Sequence, residues 1–197
     1  LCDMALQRCN MMTEYYTRSI ADGYKSHLSG DYNYYNIAAA VAVGRYFDIA
    51  QPSIAAAIES YIPQNNRSQE QSTAHGNRLI IDCYNANPSS MEVALDNIAT
   101  MEAEHKVLVL GDMLELGEWS YDEHCRILQL AAQVKNAELL LVGAEFLKAA
   151  HTLGIDATCC ANSTEATEWI AESKISDTTI LLKGSRGIKL EKIIAVL

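Results

Sequence analysis

The sequence lacks the marks of a membrane or secreted protein. In its 197 residues, no apolar run approaches the roughly 18 residues that a membrane span needs. The first residues, Leu1-Cys2-Asp3-Met4, are not a basic segment followed by an apolar one, so they form no secretory signal. Position 1 is not methionine, and we therefore expect a fragment or a processed chain.

Basic residues are scarce, which argues against a nucleic-acid-binding protein. Fifteen Lys and Arg stand against twenty-five Asp and Glu, and the formal net charge is −10. A general nucleic-acid surface needs a basic stripe, and the sequence contains none. The acidity still permits a nucleotide ligand, because a few local cations and helix N-termini are enough to hold phosphates.

The six cysteines and five histidines show no metal-site spacing. There is no C-x-x-C pair, and the adjacent Cys159 and Cys160 are poorly placed for a disulfide bridge. We therefore expect no metal site in this chain. A reducing cytoplasm is the simplest setting for unpaired thiols.

From residue 79 onward, strand-like and helix-like segments alternate. Short apolar strands separated by amphipathic helices predict an α/β fold, with a Rossmann-like, doubly wound and mostly parallel sheet. The predicted strands are 79–82, 106–110, 138–142, 157–160 and 178–182. The predicted helices are 90–102, 121–133, 145–153, 164–173 and 188–196.

The first 66 residues show no such alternation. Segments 37–47 and 53–61 are predicted as helices, so this part is expected to be mainly helical. Segment 63–77 is polar and nearly free of aliphatic residues, which is typical of a linker. We predict a helical part over 1–66, a linker over 67–78 and an α/β domain over 79–197.

A cluster of small polar residues follows the first strand of the α/β domain. They read Asp82-Cys83-Tyr84-Asn85-Ala86-Asn87-Pro88-Ser89-Ser90. Ligands of open α/β sheets bind at the carboxyl ends of strands, so we expect substrate or nucleotide to contact this segment. The Asp82 carboxylate could accept hydrogen bonds from both hydroxyls of a ribose. The alternative is an ordinary turn followed by a helix cap.

A second polar loop follows the last predicted strand and reads Lys183-Gly184-Ser185-Arg186-Gly187. Its glycines let backbone N–H groups approach a ligand, and its two cations favour an anion site over a plain tight turn. We expect Lys183 and Asp82 to emerge at the same edge of the sheet and to face a common cleft. The loop is not a phosphate loop, because G-x-x-x-x-G-K-[ST] is absent from the chain.

An acidic loop, Gly111-Asp112-Met113-Leu114-Glu115-Leu116-Gly117-Glu118, follows the strand 106–110. Its carboxylates could bind a metal or an amine, but such loops are more often solvated and cap the next helix, here through Ser120. His124 lies one turn into that helix, and a lone histidine is more often packed than catalytic.

Two asparagines precede the Ala-rich helix, in Gly30-Asp31-Tyr32-Asn33-Tyr34-Tyr35-Asn36. Asn33 and Asn36 are three residues apart and could share one helix face. An amide offers a donor and an acceptor together, which suits the edge of adenine, although a helix cap would explain one asparagine equally well. Arg67 in the predicted linker could meet a phosphate or remain solvated.

Together these motifs resemble the Mur ligase family. Asn33 to Asn36, the Ala-rich helix and Asn65-Asn66-Arg67-Ser68-Gln69 resemble the end of the family's central ATP-binding domain. The three loops that follow strands resemble its C-terminal domain, in the member that adds D-alanyl-D-alanine. The resemblance covers roughly residues 21–197.

The resemblance implies an ATP-dependent amide ligase of peptidoglycan precursor synthesis, acting as a cytoplasmic monomer. Such an enzyme phosphorylates the carboxylate of UDP-N-acetylmuramoyl-tripeptide with ATP, and the amine of D-alanyl-D-alanine attacks the acyl phosphate. Asn33 and Asn36 would then contact adenine, Arg67 the phosphates and Asp82 the ribose. The implied dipeptide-binding residues are Tyr84, Asn85, Asn87, Ser89, Lys183, Ser185 and Arg186.

One departure from the family is large. The family's phosphate loop, Mg²⁺ ligands, carbamylated lysine and UDP-sugar domain have no counterpart in this sequence. We therefore expect the back portion of such an enzyme, inactive alone. Other Mur ligases, folylpolyglutamate synthases and a stand-alone Rossmann-like nucleotide-binding or regulatory module remain alternatives. A nicotinamide dehydrogenase is disfavoured, because no G-x-G-x-x-G follows the first strand.

Overall fold

A computed structural model describes residues 14–28, 33–62 and 69–197. The described residues up to His27 and from Asn33 to Ile62 form one compact unit. Leu28 and the residues from Gln69 to Leu197 belong to a second unit. No helix in these described ranges is both long and apolar enough to cross a membrane.

The first unit is helical, as predicted. It contains a 3-10 turn Arg18–Ala21 and the helices α1 Asn33–Tyr46 and α2 Gln51–Ser60. Helix α1 buries Ile37, Ala38 and Val41 on one face. Gly44 lies so close to α2 that a Cβ added there would be 2.8 Å from the Cδ1 of Ile54. The small residues of α1 therefore allow the two helices to pack closely.

The second unit is an α/β domain built on a six-stranded sheet. The strand order is β1-β2-β6-β3-β4-β5; β1 is antiparallel to β2, and the other neighbours are parallel. The strands are β1 Gln69–Ser72, β2 Arg78–Asp82, β3 Lys106–Gly111, β4 Ala137–Val142, β5 Thr158–Cys160 and β6 Thr179–Lys183. The helices are α3 Pro88–Thr100, α4 Ser120–Ala131, α5 Ala144–Leu153 and α6 Ser163–Ser173.

Successive residues of the central strands enter two apolar layers, one on each face of the sheet. Leu108 and Leu110 of β3 pack on one face with side chains from α3, α4 and α5. Val107 and Val109 pack on the other face with α6 and the C-terminal segment. Side chains alternate along a strand, so strands buried on both faces must be continuously apolar. This confirms the doubly wound fold that the apolar runs predict.

Two segments differ from the predictions. Gln69–Ser72 lies in the predicted linker 67–78 but forms strand β1. The strand was missed because its residues, Gln-Glu-Gln-Ser, have no apolar alternation. Segment 188–196, predicted as one helix, forms 3-10 turns Arg186–Ile188 and Leu190–Val196. Lys189 between them adopts a left-handed conformation with φ 62°, which interrupts a regular helix.

Candidate functional site

Three neighbouring strands bring their carboxyl ends together at one edge of the sheet. Asp82 of β2 and Leu110 of β3 are both in register with Lys183 of β6. The chain leaves β2 and β3 towards the face covered by α3 and α4, whereas it leaves β6 towards the opposite face. Such a reversal opens a crevice outside the strand ends, which is where open α/β sheets bind ligands.

Lys183 is buried at the centre of this edge, and its ammonium group contacts Asp82 directly. The Nζ atom is 2.8 Å from Oδ2 of Asp82, with side-chain exposures of 1% and 20% for the two residues. Nζ also donates to the carbonyl oxygen of Asn85 at 2.7 Å and, more weakly, to that of Asp82 at 3.4 Å. The two residues therefore share one edge, as predicted. The three donors of Lys183 all have acceptors within the protein.

Arg186 is the exposed cation of the same loop. Its guanidinium lies 5.2 Å from the ring centroid of Tyr84, and Nη1 is 3.5 Å from the Tyr84 hydroxyl. An arginine stacked on an aromatic ring keeps its planar donors free to grip a carboxylate. The geometry thus offers an exposed cation next to an aromatic ring.

The loop between β2 and α3 ends in a capping box. Oδ1 of Asn87 accepts a hydrogen bond from the Ser90 amide at 2.9 Å, while the Asn87 amide donates to Oγ of Ser90 at 3.1 Å. Pro88 occupies the first turn, where its missing N–H costs nothing. The side chains of Asn85 and Ser89 are exposed. The turn-and-cap alternative therefore describes Asn87, although its cap leaves the neighbouring side chains open to a ligand.

Ser185 ties the β6 loop to the β3 loop. Its amide donates to the carbonyl of Asp112 at 3.2 Å, and its Oγ accepts from the amide of Leu114 at 2.9 Å. The strand ends approach so closely that a Cβ at Gly184 would lie 2.9 Å from the Cα of Gly111. Glycine is therefore required at position 184, and the Ser185 side chain is itself buried.

Asp112 is buried and caps helix α5. Its carboxylate accepts hydrogen bonds from the amides of Glu145 at 3.0 Å and Phe146 at 2.9 Å. The acidic loop was predicted to be solvated, with Ser120 capping the next helix, α4. Asp112 is instead buried, and the start of α4 has no side-chain cap among the described residues, so this prediction was wrong. The partner helix begins more than 30 residues further along the chain, so no local pattern pointed to it.

His124 is fully buried beside Asp112, with both ring nitrogens bound to backbone groups. Nε2 accepts a hydrogen bond from the Met113 amide at 2.9 Å, and Nδ1 lies 2.6 Å from the Ser120 carbonyl. The Met113 amide can only donate, so Nε2 is its acceptor, and Nδ1 faces the Ser120 carbonyl. The ring also packs edge-on against Phe146 at 4.6 Å. His124 is a packed residue, which was the favoured interpretation.

The described residues offer no cluster for a metal ion. In residues 14–28, 33–62 and 69–197, no group of three or more His, Cys, Asp or Glu is suitably arranged. Next to Asp82, burial and the nearby Glu191 and Asp82 carboxylates raise the pKa of the Cys83 thiol to about 12. This thiol is protonated and unreactive at neutral pH.

The predicted adenine contacts lie in the first unit. Nδ2 of Asn36 donates to Oδ1 of Asn33 at 2.8 Å, so the two amides share one face of α1. Asn33 is buried and Asn36 is exposed. The hydrogen bond orients the two amides relative to each other. Arg67, the predicted phosphate contact, lies outside the described residues.

The fold and its polar carboxyl edge are those of a doubly wound α/β domain. Residues 66–186 match the family model described as "Mur ligase, glutamate ligase domain". The chain belongs to the Mur ligase family.

Within that family, the chain is similar to ligases of one kind. UDP-N-acetylmuramoyl-tripeptide–D-alanyl-D-alanine ligase of Treponema pallidum is 30% identical, over 84% of this chain and 37% of the relative. The Bacillus subtilis ligase of that name is 29% identical, over 92% and 41%. MurF from Acinetobacter baumannii superposes with a TM-score of 0.78 and 26% identity, covering 87% of this chain and 39% of the other. The chain thus spans about two fifths of the length of these proteins.

Proposed function

We propose that this chain forms the acceptor- and nucleotide-contacting part of an ATP-dependent amide ligase. The reaction joins D-alanyl-D-alanine to UDP-N-acetylmuramoyl-tripeptide in peptidoglycan precursor synthesis. The observation that carries the proposal is similarity to ligases of that name over 84% and 92% of this chain. We expect a monomer that works in the cytoplasm, where ATP is supplied.

The reaction has two chemical steps. The γ-phosphoryl group of ATP is transferred to the tripeptide carboxylate, which yields ADP and an acyl phosphate. The amine of D-alanyl-D-alanine then attacks the acyl carbon, and phosphate leaves as the amide forms. This chain's part is to bind and orient the dipeptide and the nucleoside, so that the amine meets the acyl phosphate in a fixed geometry.

The dipeptide is proposed to bind at the carboxyl edge of the sheet. Arg186, exposed and stacked near Tyr84, is suited to grip the dipeptide carboxylate with two parallel hydrogen bonds. The direct contact is assigned to Arg186 because the ammonium group of Lys183 is buried and bonded internally. The remaining polar contacts would come from Tyr84, Asn85, Asn87 and Ser89, while Ser185 fixes the loop.

The nucleoside contacts are proposed separately for the two units. In the first unit, the paired Asn33 and Asn36 present oriented amide groups that suit the edge of adenine. In the second unit, Asp82 is proposed to accept hydrogen bonds from the ribose hydroxyls. Arg67 is proposed to contact the nucleotide phosphates.

The chain alone is proposed to be catalytically inactive. Its sequence has no phosphate loop, and the residues described by the structure show no metal-binding cluster that could hold Mg²⁺. A coupled assay with ATP, UDP-N-acetylmuramoyl-tripeptide and D-alanyl-D-alanine should therefore detect no amide formation by the chain. ATP-dependent amide formation above the enzyme-free rate would overturn this part of the proposal.

Binding of the dipeptide is the direct test of the site. Titration of D-alanyl-D-alanine against the 197-residue chain should shift amide resonances in the loops after β2 and β6. L-alanyl-L-alanine should bind more weakly, because an oriented site distinguishes the enantiomers. Arg186→Ala should weaken binding about tenfold or more, since a charge-assisted hydrogen bond is lost.

Arg126→Ala is the matched control for Arg186→Ala. Arg126 is a partly exposed arginine of α4 that pairs with Glu92 and Glu123 and is not among the proposed dipeptide contacts. It should leave dipeptide affinity unchanged. Equal affinities of the Arg186 and Arg126 variants would remove Arg186 from the site. A chain that binds nucleotide but neither dipeptide would instead favour a stand-alone nucleotide-binding module.

A further inference from the structure

We propose that Lys183 is a positioning residue that orients Asp82 for the ribose diol and does not itself bind the acceptor carboxylate. The inference rests on the proposed function, because it assigns Asp82 to the ribose. It concerns the contact between Lys183 and Asp82, whereas the proposed dipeptide contact is made by Arg186. Its consequence is that Lys183, at the end of the strand whose loop carries Arg186, controls the preference for a nucleotide with a ribose diol.

The burial and the hydrogen bonds of Lys183 argue against a direct contact between its ammonium group and a ligand carboxylate. The Lys183 side chain is 1% exposed, so water can reach its ammonium group only marginally. An ammonium has three donors, and the three acceptors within reach are Oδ2 and the carbonyl of Asp82 and the carbonyl of Asn85. A ligand carboxylate would have to displace one of these acceptors. The longest contact is to the Asp82 carbonyl, at 3.4 Å.

The position of the Asp82 carboxylate indicates that Lys183 orients it. Its side chain is 20% exposed, and Oδ2 is fixed by Lys183 at 2.8 Å. Within the described part of the chain, no hydrogen bond to Oδ1 is found. The lysine thus fixes the carboxylate plane at the mouth of the crevice and leaves one oxygen for a ligand. A carboxylate held in this way can accept from vicinal hydroxyls without losing rotational freedom on binding.

The same ammonium holds the turn that follows. Its bond to the Asn85 carbonyl fixes the segment between Asp82 and the capping box of α3. This bond is to a backbone carbonyl and involves no side chain that is proposed to bind the dipeptide carboxylate. Arg186 remains as the exposed cation for the acceptor.

Two selectivity ratios test the assignment on the 197-residue chain. The first is the affinity for ADP divided by that for 2′,3′-dideoxy-ADP, and it reports contact with the diol. The second is the affinity for D-alanyl-D-alanine divided by that for its C-terminal amide, and it reports contact with the carboxylate. In the wild-type chain both ratios should be about tenfold or more, since each reports hydrogen bonds to a charged group.

Lys183→Met should lower the diol ratio to about twofold or less and leave the carboxylate ratio unchanged. Asp82→Asn should lower the diol ratio equally. Adding Lys183→Met to Asp82→Asn should cause no further fall, because the lysine acts through the carboxylate. Arg186→Ala should show the reverse pattern and lose only the carboxylate ratio. The exposed Lys174, at the C-terminal end of α6, provides the control Lys174→Met, which should keep both ratios.

Each of the following outcomes overturns the inference. A wild-type diol ratio near one removes the ribose role of Asp82, and the proposed function of that residue fails together with the inference. A normal wild-type ratio that Lys183→Met retains removes the inference alone. Loss of the carboxylate ratio in Lys183→Met makes the lysine a direct ligand. If the methionine variant does not fold by circular dichroism, Lys183→Gln replaces it and must also lower the diol ratio; an unchanged ratio in that variant overturns the inference.

Discussion

Polar residues at the carboxyl edge of the sheet differ in where their hydrogen bonds are made. Asp112, His124 and Lys183 are buried, and they bond to backbone or carboxylate groups of the protein. Arg186 and Asn85 present side chains to solvent. The buried residues bond the loops of this edge to the rest of the domain, whereas the exposed side chains face solvent. A sequence motif contains both buried and exposed polar residues and does not tell them apart.

Cys83 gives the domain a pH dependence in alkaline solution. Its folded-state pKa of about 12 lies above the ordinary value of 9.0, because burial and nearby carboxylates disfavour the thiolate. The folded chain therefore holds this proton more tightly than the unfolded chain. The contribution of this thiol to the free energy of unfolding is therefore fully present below pH 9 and is lost progressively between pH 9 and 12.

The measurement compares the wild-type chain with Cys83→Ala by urea unfolding at pH 7, 9 and 10. Between pH 7 and 10, the free energy of unfolding of the wild type should fall by about 1.4 kcal/mol more than that of the variant. Other groups titrate in both proteins and cancel in the comparison. Parallel pH profiles would contradict the prediction.

Gly143 is required by the cap of α5. Its φ of 123° is unfavourable for any side chain, and an added Cβ would collide with the Asp112 carboxylate. Gly143→Ala should lower the free energy of unfolding by about 3 kcal/mol, since strain and the loss of a buried cap add. Gly154→Ala is the control: its φ is 62° and no atom lies within 4 Å, so the loss should be about 1 kcal/mol. Equal losses in urea unfolding would contradict the role of Asp112.

At the scale of elements, apolar runs were enough to predict the parallel strands. Each predicted strand lies within one residue of its observed ends, because strands buried on both faces must be apolar throughout. Strand β1 and the 3-10 turns after β6 were missed for physical reasons. The first is polar and is defined by its backbone pairing with β2, and the second depends on a left-handed Lys189. Both features are set by tertiary context.

The site could be predicted only in part. Strand ends followed by polar residues correctly indicated that Asp82 and Lys183 share an edge. Their direct ion pair was not foreseen, because residues 101 positions apart are brought together by the parallel register of β2 and β6. The cap of α5 by Asp112 was missed for the same reason. Local sequence reveals which residues lie at an edge but not which of them bond to each other.

The capping box of α3 has a measurable contribution to stability. Asn87→Ala removes the acceptor for the Ser90 amide and should cost about 1 kcal/mol of unfolding free energy. Asn87→Asp keeps a side-chain oxygen and should retain most of the stability. Asn162→Ala, which removes the cap of α6, should cost a similar amount. An Asn87→Ala chain as stable as wild type in urea unfolding would show that the cap contributes nothing.

At the scale of the whole molecule, the two apolar layers of the sheet are both formed by residues from Leu79 onward. A domain that contains its own core can fold independently. A chain of residues 63–197 should therefore unfold cooperatively, with native-like circular dichroism and a single thermal transition. Its transition should coincide with one seen in the 197-residue chain under the same conditions. A broad, non-cooperative melt would show that the helical unit is needed for folding.

Strand β1 has a consequence for how the molecule behaves in concentrated solution. Its four polar residues cover the free backbone groups of β2, and Glu70 is held there by Arg78 at 2.8 Å. The opposite border of the sheet ends in β5, which is only three residues long. A strand from another copy thus finds a charged, short template on one side and almost none on the other. Intermolecular sheet growth, the usual route to fibrillar aggregates, is discouraged at both borders.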